Sequence, residues 1–310
     1  MAFLRSFGAY VPERVVTNAE LAPQLGVEAE WIASVSGIAE RRYAAADETV
    51  ASLGLRAAED CLERAGLTAA ELGMILVSSG SSERFCPGPA CSIAAGLKLT
   101  MTPAIDIPIA SAGSLVAMVL ASGLAATVGH ILVIGSEIMS RRVAHTPDGK
   151  DTAILFGDGA GACIVSPDKG FARIADTCIF TDGAMSEALT IQNDLIRMDG
   201  PAIIRHVSRK LPDAIKTLLT RNNISAKDVG MYLLHQANLN LISRVAKSLD
   251  APIERFYANI QRYGNTSSAS MLIAASEWRE RNVGDVVEPI VFGAFGVGLN
   301  WGALLALPLG

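Results

Sequence analysis

Three short segments hold the side chains best suited to nucleophilic chemistry. Ile109-Ala110-Ser111-Ala112-Gly113-Ser114 sets a hydroxyl between the mostly apolar run 103–109 and a small-residue helix predicted over 115–126. A helix start offers unpaired, partly positive N–H groups, so Ser111 would stand beside donors for a developing oxyanion. His235-Gln236-Ala237-Asn238 follows a buried strand predicted over 230–234, and Gly264-Asn265-Thr266-Ser267 precedes an Ala/Ser-rich helix predicted over 267–275. A neutral imidazole can donate to an anionic oxygen or take a proton, and an amide N–H can donate to the same oxygen. Each residue also has a structural reading: His235 as a core histidine at a strand end, Asn265 as a turn and cap residue.

The chain that must position these groups has 310 residues, half of them hydrophobic and 18% charged. That is enough for a large core, in one large domain or two closely packed ones. No apolar run reaches the roughly 18 unbroken residues of a membrane span. The most apolar stretch, 114–134, reads as a buried helix followed by a buried strand. A net charge of −5 argues against a nucleic-acid partner. The first nine residues lack the pattern of a signal peptide. Cys61, Cys86, Cys91, Cys163 and Cys178 form no Cys-x-x-Cys pair. The expectation is a cytoplasmic protein with reduced thiols, no metal site and no bound redox cofactor.

The sequence repeats itself. Segment 66–77 and segment 223–234 both read as a helix end, a capped acidic turn, Gly-Met and a buried strand. Segments 128–135 and 283–293 match next, then 161–167 and 302–308. Three matches in the same order at a domain-sized period imply two copies of one α/β unit, with halves at 1–168 and 169–310. Continuous apolar strands alternating with helices imply sheets covered on both faces, here two sheets sharing a helical layer. In the second copy a short strand is expected over 255–260. Ser111 and Asn265 then fall in roughly equivalent turns, at strand ends where ligands collect.

Weaker signals remain. Phe156-Gly157-Asp158-Gly159-Ala160-Gly161 lacks the lysine and helix of a phosphate loop, so a tight turn with glycine-only geometry is expected. Phe295-Gly296-Val297-Gly298 reads as a similar turn that could face the site through its N–H groups. Arg205, Arg209, Lys210 and Lys216 make a basic cluster on a helix over 202–220, which Pro212 is expected to interrupt. Such a face is either solvated or a dock for an acidic partner. Arg141 and Arg142 read either as a solvated surface pair or as a contact for a carboxylated substrate.

Together these motifs resemble the β-ketoacyl-acyl-carrier-protein synthase III family of the thiolase-like superfamily, over nearly the whole chain. The resemblance rests on Gly8–Pro12, Thr17-Asn18, Glu30–Ile32, Gly37–Arg41, Phe156–Ala162, His235–Leu239, Gly264–Ser267 and the 295–302 loop. It implies an α/β, thiolase-like, five-layered αβαβα fold made of two duplicated halves, and a homodimer. It implies acyl transfer from a coenzyme A or acyl-carrier thioester to an enzyme nucleophile, then decarboxylative condensation with malonyl on the carrier protein. These thioesters are substrates, so no cofactor is implied. His235 and Asn265 would bind the malonyl thioester oxygen, and the N–H groups of Ser111 and Val297 would form a second oxyanion hole. Arg205, Arg209 and Lys210 are the expected carrier-protein dock.

The chain departs from the family at several positions. Ser111 stands where the family has its nucleophilic cysteine, and a serine hydroxyl needs a base, for which His235 is the expected group. Two origins are open: a natural serine-dependent enzyme, or a laboratory replacement of a parental cysteine. Two other functions are also open, acyl transfer to an oxygen or nitrogen acceptor and a non-catalytic partner subunit. On the donor side, Trp31 matches the aromatic that stacks on adenine. Val35 and Asn240 replace usual arginines and Lys150 replaces a third, which loosens a strict coenzyme A preference. Cys86 stands where the family often has Phe near the partner subunit's acyl pocket, implying more room there.

Overall fold

The alternation of apolar strands with helices folds into a layered α/β molecule, described here from a computed structural model over residues 1–309. From one edge to the other, the main sheet runs Met231–Leu234, Ile290–Gly296, Asn300–Pro308, Ala172–Thr181, Ala2–Tyr10, Asp158–Ser166, His130–Ile138, Leu72–Ser78 and Ala104–Ile107. The duplication is visible in this order. Leu72–Ser78 pairs in parallel with His130–Ile138, which pairs antiparallel with Asp158–Ser166 and, through it, Ala2–Tyr10. Met231–Leu234, Ile290–Gly296, Asn300–Pro308 and Ala172–Thr181 repeat that pattern.

Two details differ from the sequence expectation. The two sheets are not separate, because Ala2–Leu4 and Ala172–Ile174 hydrogen-bond across a short antiparallel seam. The expected strand over 255–260 shrinks to a single parallel bridge between Tyr232 and Phe256, flanked by the turn Ile253–Arg255 and the helix Ile260–Tyr263. Pro252 and the polar Asn259 leave too short an extended run for a ladder.

Five layers follow from which helices cover which faces. Val50–Ala65 covers the outer face of the first half, and Gly200–Arg221 with Leu239–Leu249 covers that of the second. Gly113–Val128 and Ser270–Arg281 lie between, touching strands of both halves. Glycines permit this close layering. Gly135 and Gly161 are register partners on adjacent strands. A Cβ on Gly135 would strike the Ser268 carbonyl, and one on Gly161 would strike Leu272.

The stretch 114–134 does form a helix and a buried strand, yet Leu120 and Leu124 leave one helix face exposed in the single chain. Pro212 does not interrupt its helix, which runs through it from Gly200 to Arg221. A proline removes one ladder bond, and here the buried stripe Ile203, Val207, Leu211, Ile215 and Leu218 carries the helix across it. Residues 158–161 are strand rather than turn. Their glycines serve close approach, with Gly159 facing Ile273 and Gly161 facing Leu272. Among the described residues no helix is long and apolar enough to cross a membrane, and no cluster of His, Cys, Asp and Glu could hold a metal ion.

Candidate active site

Ser111 sits in the turn before Gly113–Val128 with φ 65°, a left-handed conformation that non-glycine residues seldom adopt. Ser267 has φ 49° in the corresponding turn of the second half, just before Ser270–Arg281. Asn265 lies two residues earlier in this same turn, and Ser267, 156 residues from Ser111, is the one that shares its positive φ. They meet across the centre of the molecule. The Ser111 N–H donates to Ser267 Oγ at 2.9 Å, and the two hydroxyl oxygens lie 3.2 Å apart.

Ser267 Oγ in turn donates to Glu137 Oε1 at 2.9 Å. Glu137 lies near the end of the strand His130–Ile138 and is fully buried. Its carboxylate accepts from Ser81 Oγ at 2.5 Å, Ser79 Oγ at 3.2 Å, the Gly80 N–H at 3.0 Å and the Ser268 N–H at 3.3 Å. Ser79 Oγ and Ser81 Oγ also accept from the N–H groups of Ser81 and Ile138, and the carboxylate, which can only accept, takes their protons. Burial raises the Glu137 carboxyl above the usual carboxylate range, and hydrogen bonds from Ser81, Ser268, Ser267 and Gly80 oppose that rise.

His235 follows the strand Met231–Leu234 and is buried, anchored by its N–H to the Gly293 carbonyl at 2.8 Å. Nδ1 lies 2.6 Å from Ser270 Oγ, which accepts from the Gln236 N–H at 3.1 Å. The Ser270 proton is therefore free for Nδ1, which places the imidazole proton on Nε2. Phe295 packs against the ring edge-to-face at 5.1 Å. Burial lowers the His235 pKa to about 3, so the ring is neutral and Nε2–H is a donor. The expectation that His235 deprotonates Ser111 has no hydrogen bond behind it, since the partner of the Ser111 hydroxyl is Ser267.

Asn265 meets its structural role and leaves a functional group over. Its N–H donates to the Leu155 carbonyl at 2.8 Å, and its Oδ1 accepts from the Ser267 N–H at 2.9 Å. Nδ2 is then the end of the amide left to donate. The bridge between Phe156 and Asn265 ties this turn to the start of the Gly-rich strand. Both nominated backbone donors already have acceptors: the Ser111 N–H uses Ser267 Oγ, and the Val297 N–H uses the Ala110 carbonyl at 3.2 Å.

The outlying candidates fall into three places. Trp31 is partly exposed on the helix Ala29–Ser36. Asn238 Nδ2 and Asn240 Nδ2 donate to the Val35 carbonyl at 2.9 and 3.3 Å, docking that helix beside the His235 loop. Asn240 is thus spent on tethering, and Lys150 begins the short helix Lys150–Ala153. Cys86 is exposed on the loop beyond Ser78. It does not line its own chain's cavity of about 600 Å³, which Phe85, Ile107, Ala110, Arg142 and Val297 border. Arg142 is no solvated surface residue: it donates to the Ser81 and Ser82 carbonyls and to Asp194. Arg205, Arg209 and Lys210 line a shallow groove on the helix Gly200–Arg221.

Glu137 and Ser270 were not singled out by sequence reasoning. The available signals were one carboxylate in an otherwise apolar strand and the dense serines of Ser267-Ser268-Ala269-Ser270.

A nucleophile-positioned hydroxyl, a neutral imidazole donor and an amide donor between two duplicated α/β halves define an acyltransferase of the thiolase-like class. Comparison with known proteins narrows the class. Family models described as 3-oxoacyl-[acyl-carrier-protein (ACP)] synthase III and its C-terminal part match residues 105–183 and 219–307. Beta-ketoacyl-[acyl-carrier-protein] synthase III of Oleidesulfovibrio alaskensis is 35% identical, with 98% of each chain covered. The crystal structure of 3-oxoacyl-[acyl-carrier-protein] synthase III from Aquifex aeolicus superimposes with a TM-score of 0.95 at 32% identity, covering 99% of this chain and 100% of that one. The priming β-ketosynthase of the R1128 polyketide pathway gives a TM-score of 0.90 at 28% identity, covering 99% and 96%. The chain belongs to the 3-oxoacyl-acyl-carrier-protein synthase III family. It is an acyltransferase of that condensing type, with the family's thiolase-like fold.

Proposed function

We propose that Ser111 accepts an acyl group from a coenzyme A or acyl-carrier thioester, and that the acyl group is then joined to a malonyl-derived carbanion on a carrier protein. The observation that carries this reading is that Ser111 contacts Ser267, that Asn265 accepts from the Ser267 N–H, and that buried His235 pairs with Ser270, three residues beyond Ser267. In the first half-reaction the acyl carbonyl oxygen competes for the N–H groups of Ser111 and Val297, replacing Ser267 Oγ and the Ala110 carbonyl. In the second, His235 Nε2–H and Asn265 Nδ2–H donate to the malonyl thioester oxygen as decarboxylation turns it into an enolate. A neutral donor suits this step, because an imidazolium would protonate the carbanion.

Trp31 would stack on the adenine of a coenzyme A donor, with Lys150 near its phosphates. Arg205, Arg209 and Lys210 would meet an acidic carrier protein. A homodimer is supported by apolar surface bare in the single chain: Ile105 on the edge strand Ala104–Ile107, together with Leu120 and Leu124. In such a dimer Cys86 would reach the partner's acyl cavity. Intact-mass analysis with acyl-coenzyme A and acyl-carrier donors tests the central claim. The expected result is one acyl adduct on the Ser111 peptide, and its absence with every donor overturns the reading.

A further inference from the structure

The geometry points to Ser267 and Glu137 as a proton relay for Ser111: Ser267 Oγ takes the Ser111 proton while passing its own to Glu137 Oε1. The inference rests on Ser111 being the acyl-accepting group. It answers the problem that serine creates. A cysteine at a helix start is readily a thiolate and also leaves as one. A serine hydroxyl needs a base to attack and an acid to depart.

The hydrogen-bond directions are consistent along the chain. Glu137 Oε1 accepts, so Ser267 must donate to it at 2.9 Å. Ser267 Oγ then has only lone pairs left for Ser111, which offers both its N–H at 2.9 Å and its O–H at 3.2 Å. The other hydroxyl donors to Glu137, Ser79 and Ser81, accept only from backbone N–H groups and are not linked to Ser111. No cation is salt-bridged to this buried carboxylate among the described residues. A carboxylate held by neutral donors alone in a dry interior is a stronger proton acceptor than an exposed one.

The steps balance. In acylation, Ser111 Oγ bonds to the thioester carbon as its proton moves to Ser267 and Ser267's proton moves to Glu137. The carbon–sulfur bond then breaks, and the thiolate departs with that electron pair and is protonated by solvent. In condensation, the carbanion bonds to the acyl carbon and the carbon–oxygen bond to Ser111 breaks. The departing Ser111 oxygen recovers a proton from Ser267, which is resupplied by Glu137. The proton stored in the first half-reaction is spent in the second, and the pair returns to its starting state. Ser267 is the catalytic residue of the two, since it touches the reacting oxygen. Glu137 acts through it.

The test uses diisopropyl fluorophosphate, which reports serine nucleophilicity without an acyl donor. The parent chain, Glu137→Gln and Ser267→Ala are labelled and followed by intact mass, with thermal unfolding as a fold control. A matching set carries Ser111→Cys and is labelled with iodoacetamide. We expect each change to slow Ser111 labelling by about 100-fold, and to alter Cys labelling by less than about threefold because a thiolate needs no relay. The labelling rate of the parent should rise with pH along one ionisation that Glu137→Gln removes. Equal slowing in both sets would mean a purely structural role, and unchanged Ser111 labelling in both variants would overturn the relay. Glu137-dependent diisopropylphosphoryl labelling without any thioester adduct would refute the acyl-donor reading alone. An acyl adduct formed as fast in Glu137→Gln would refute the relay alone.

Discussion

Ser111 and Ser267 occupy corresponding turns of the two halves, both with positive φ, and their hydroxyl oxygens touch at 3.2 Å. The duplication therefore brings two like turns face to face at the centre. One carries the hydroxyl proposed to accept the acyl group, and the other links it to Glu137 at 2.9 Å. Asn265 accepts from the Ser267 N–H and His235 pairs with Ser270, which leaves each with one donor over, Nδ2–H and Nε2–H.

Ser111→Ala should abolish the acyl adduct under every donor. Ser111→Cys should accelerate adduct formation by at least about tenfold, because a thiolate at a helix start needs no base. Rapid-quench intact mass on the three proteins measures both effects.

His235→Ala and Asn265→Ala should separate the two half-reactions. Each should cut condensation by about 10²–10³-fold, the usual cost of an oxyanion donor. Acylation of Ser111 should survive His235→Ala, since no hydrogen bond joins the two side chains. Equal loss of acylation would restore His235 as the base.

Acid should weaken the fold through His235. Burial holds its pKa at about 3, against 6.5 for the free side chain. Between those values the unfolded chain binds the extra proton, so stability rises with pH and falls on acidification. The contribution lost between pH 8 and pH 5 is about 2 kcal/mol. Asp158, pushed up to about 6 by burial, acts in the opposite sense but is common to parent and variant. Urea unfolding at both pH values should therefore show a parent that loses about 2 kcal/mol more than His235→Gln.

Gly135→Ala should damage the site from behind. Its Cβ would collide with the Ser268 carbonyl, next to the residue that contacts Ser111. Overpacking of this kind costs about 1–3 kcal/mol. Displacing the 267–268 turn should also slow acylation more than the stability loss explains, as judged by labelling at a temperature where the variant is fully folded.

Trp31→Ala and Arg209→Glu should discriminate between donors. Loss of an adenine stacking surface is worth about 1–3 kcal/mol. Trp31→Ala should then raise KM for a coenzyme A donor by about tenfold and leave an acyl-carrier donor unaffected. Arg209→Glu should do the reverse, with an effect that shrinks as salt is raised. Steady-state kinetics with both donors at two ionic strengths reads this out.

Much of the fold and half of the site could be read from residue order. Repeated segments foretold two like α/β units because strands buried on both faces must be apolar wherever they recur. Ser111, His235 and Asn265 stood out because polar side chains directly after buried strands gather at one end of a sheet. The expected strand over 255–260 and the expected break at Pro212 do not form. In both cases local propensity competes with long-range packing: too few partners for the first, a full buried stripe for the second.

What the sequence determined by itself is the family, the layered α/β architecture and three polar groups at strand ends. These depend on local pattern and order along the chain. The tertiary structure alone decided which hydroxyl Ser111 touches, which nitrogen of His235 carries the proton, and that Glu137 lies behind Ser267. Those facts depend on contacts such as Ser111 with Ser267 and Ser267 with Glu137, 156 and 130 residues apart in sequence. Nothing in the spacing of residues fixes the direction of a hydrogen bond. Only the complete set of neighbours around each donor and acceptor does.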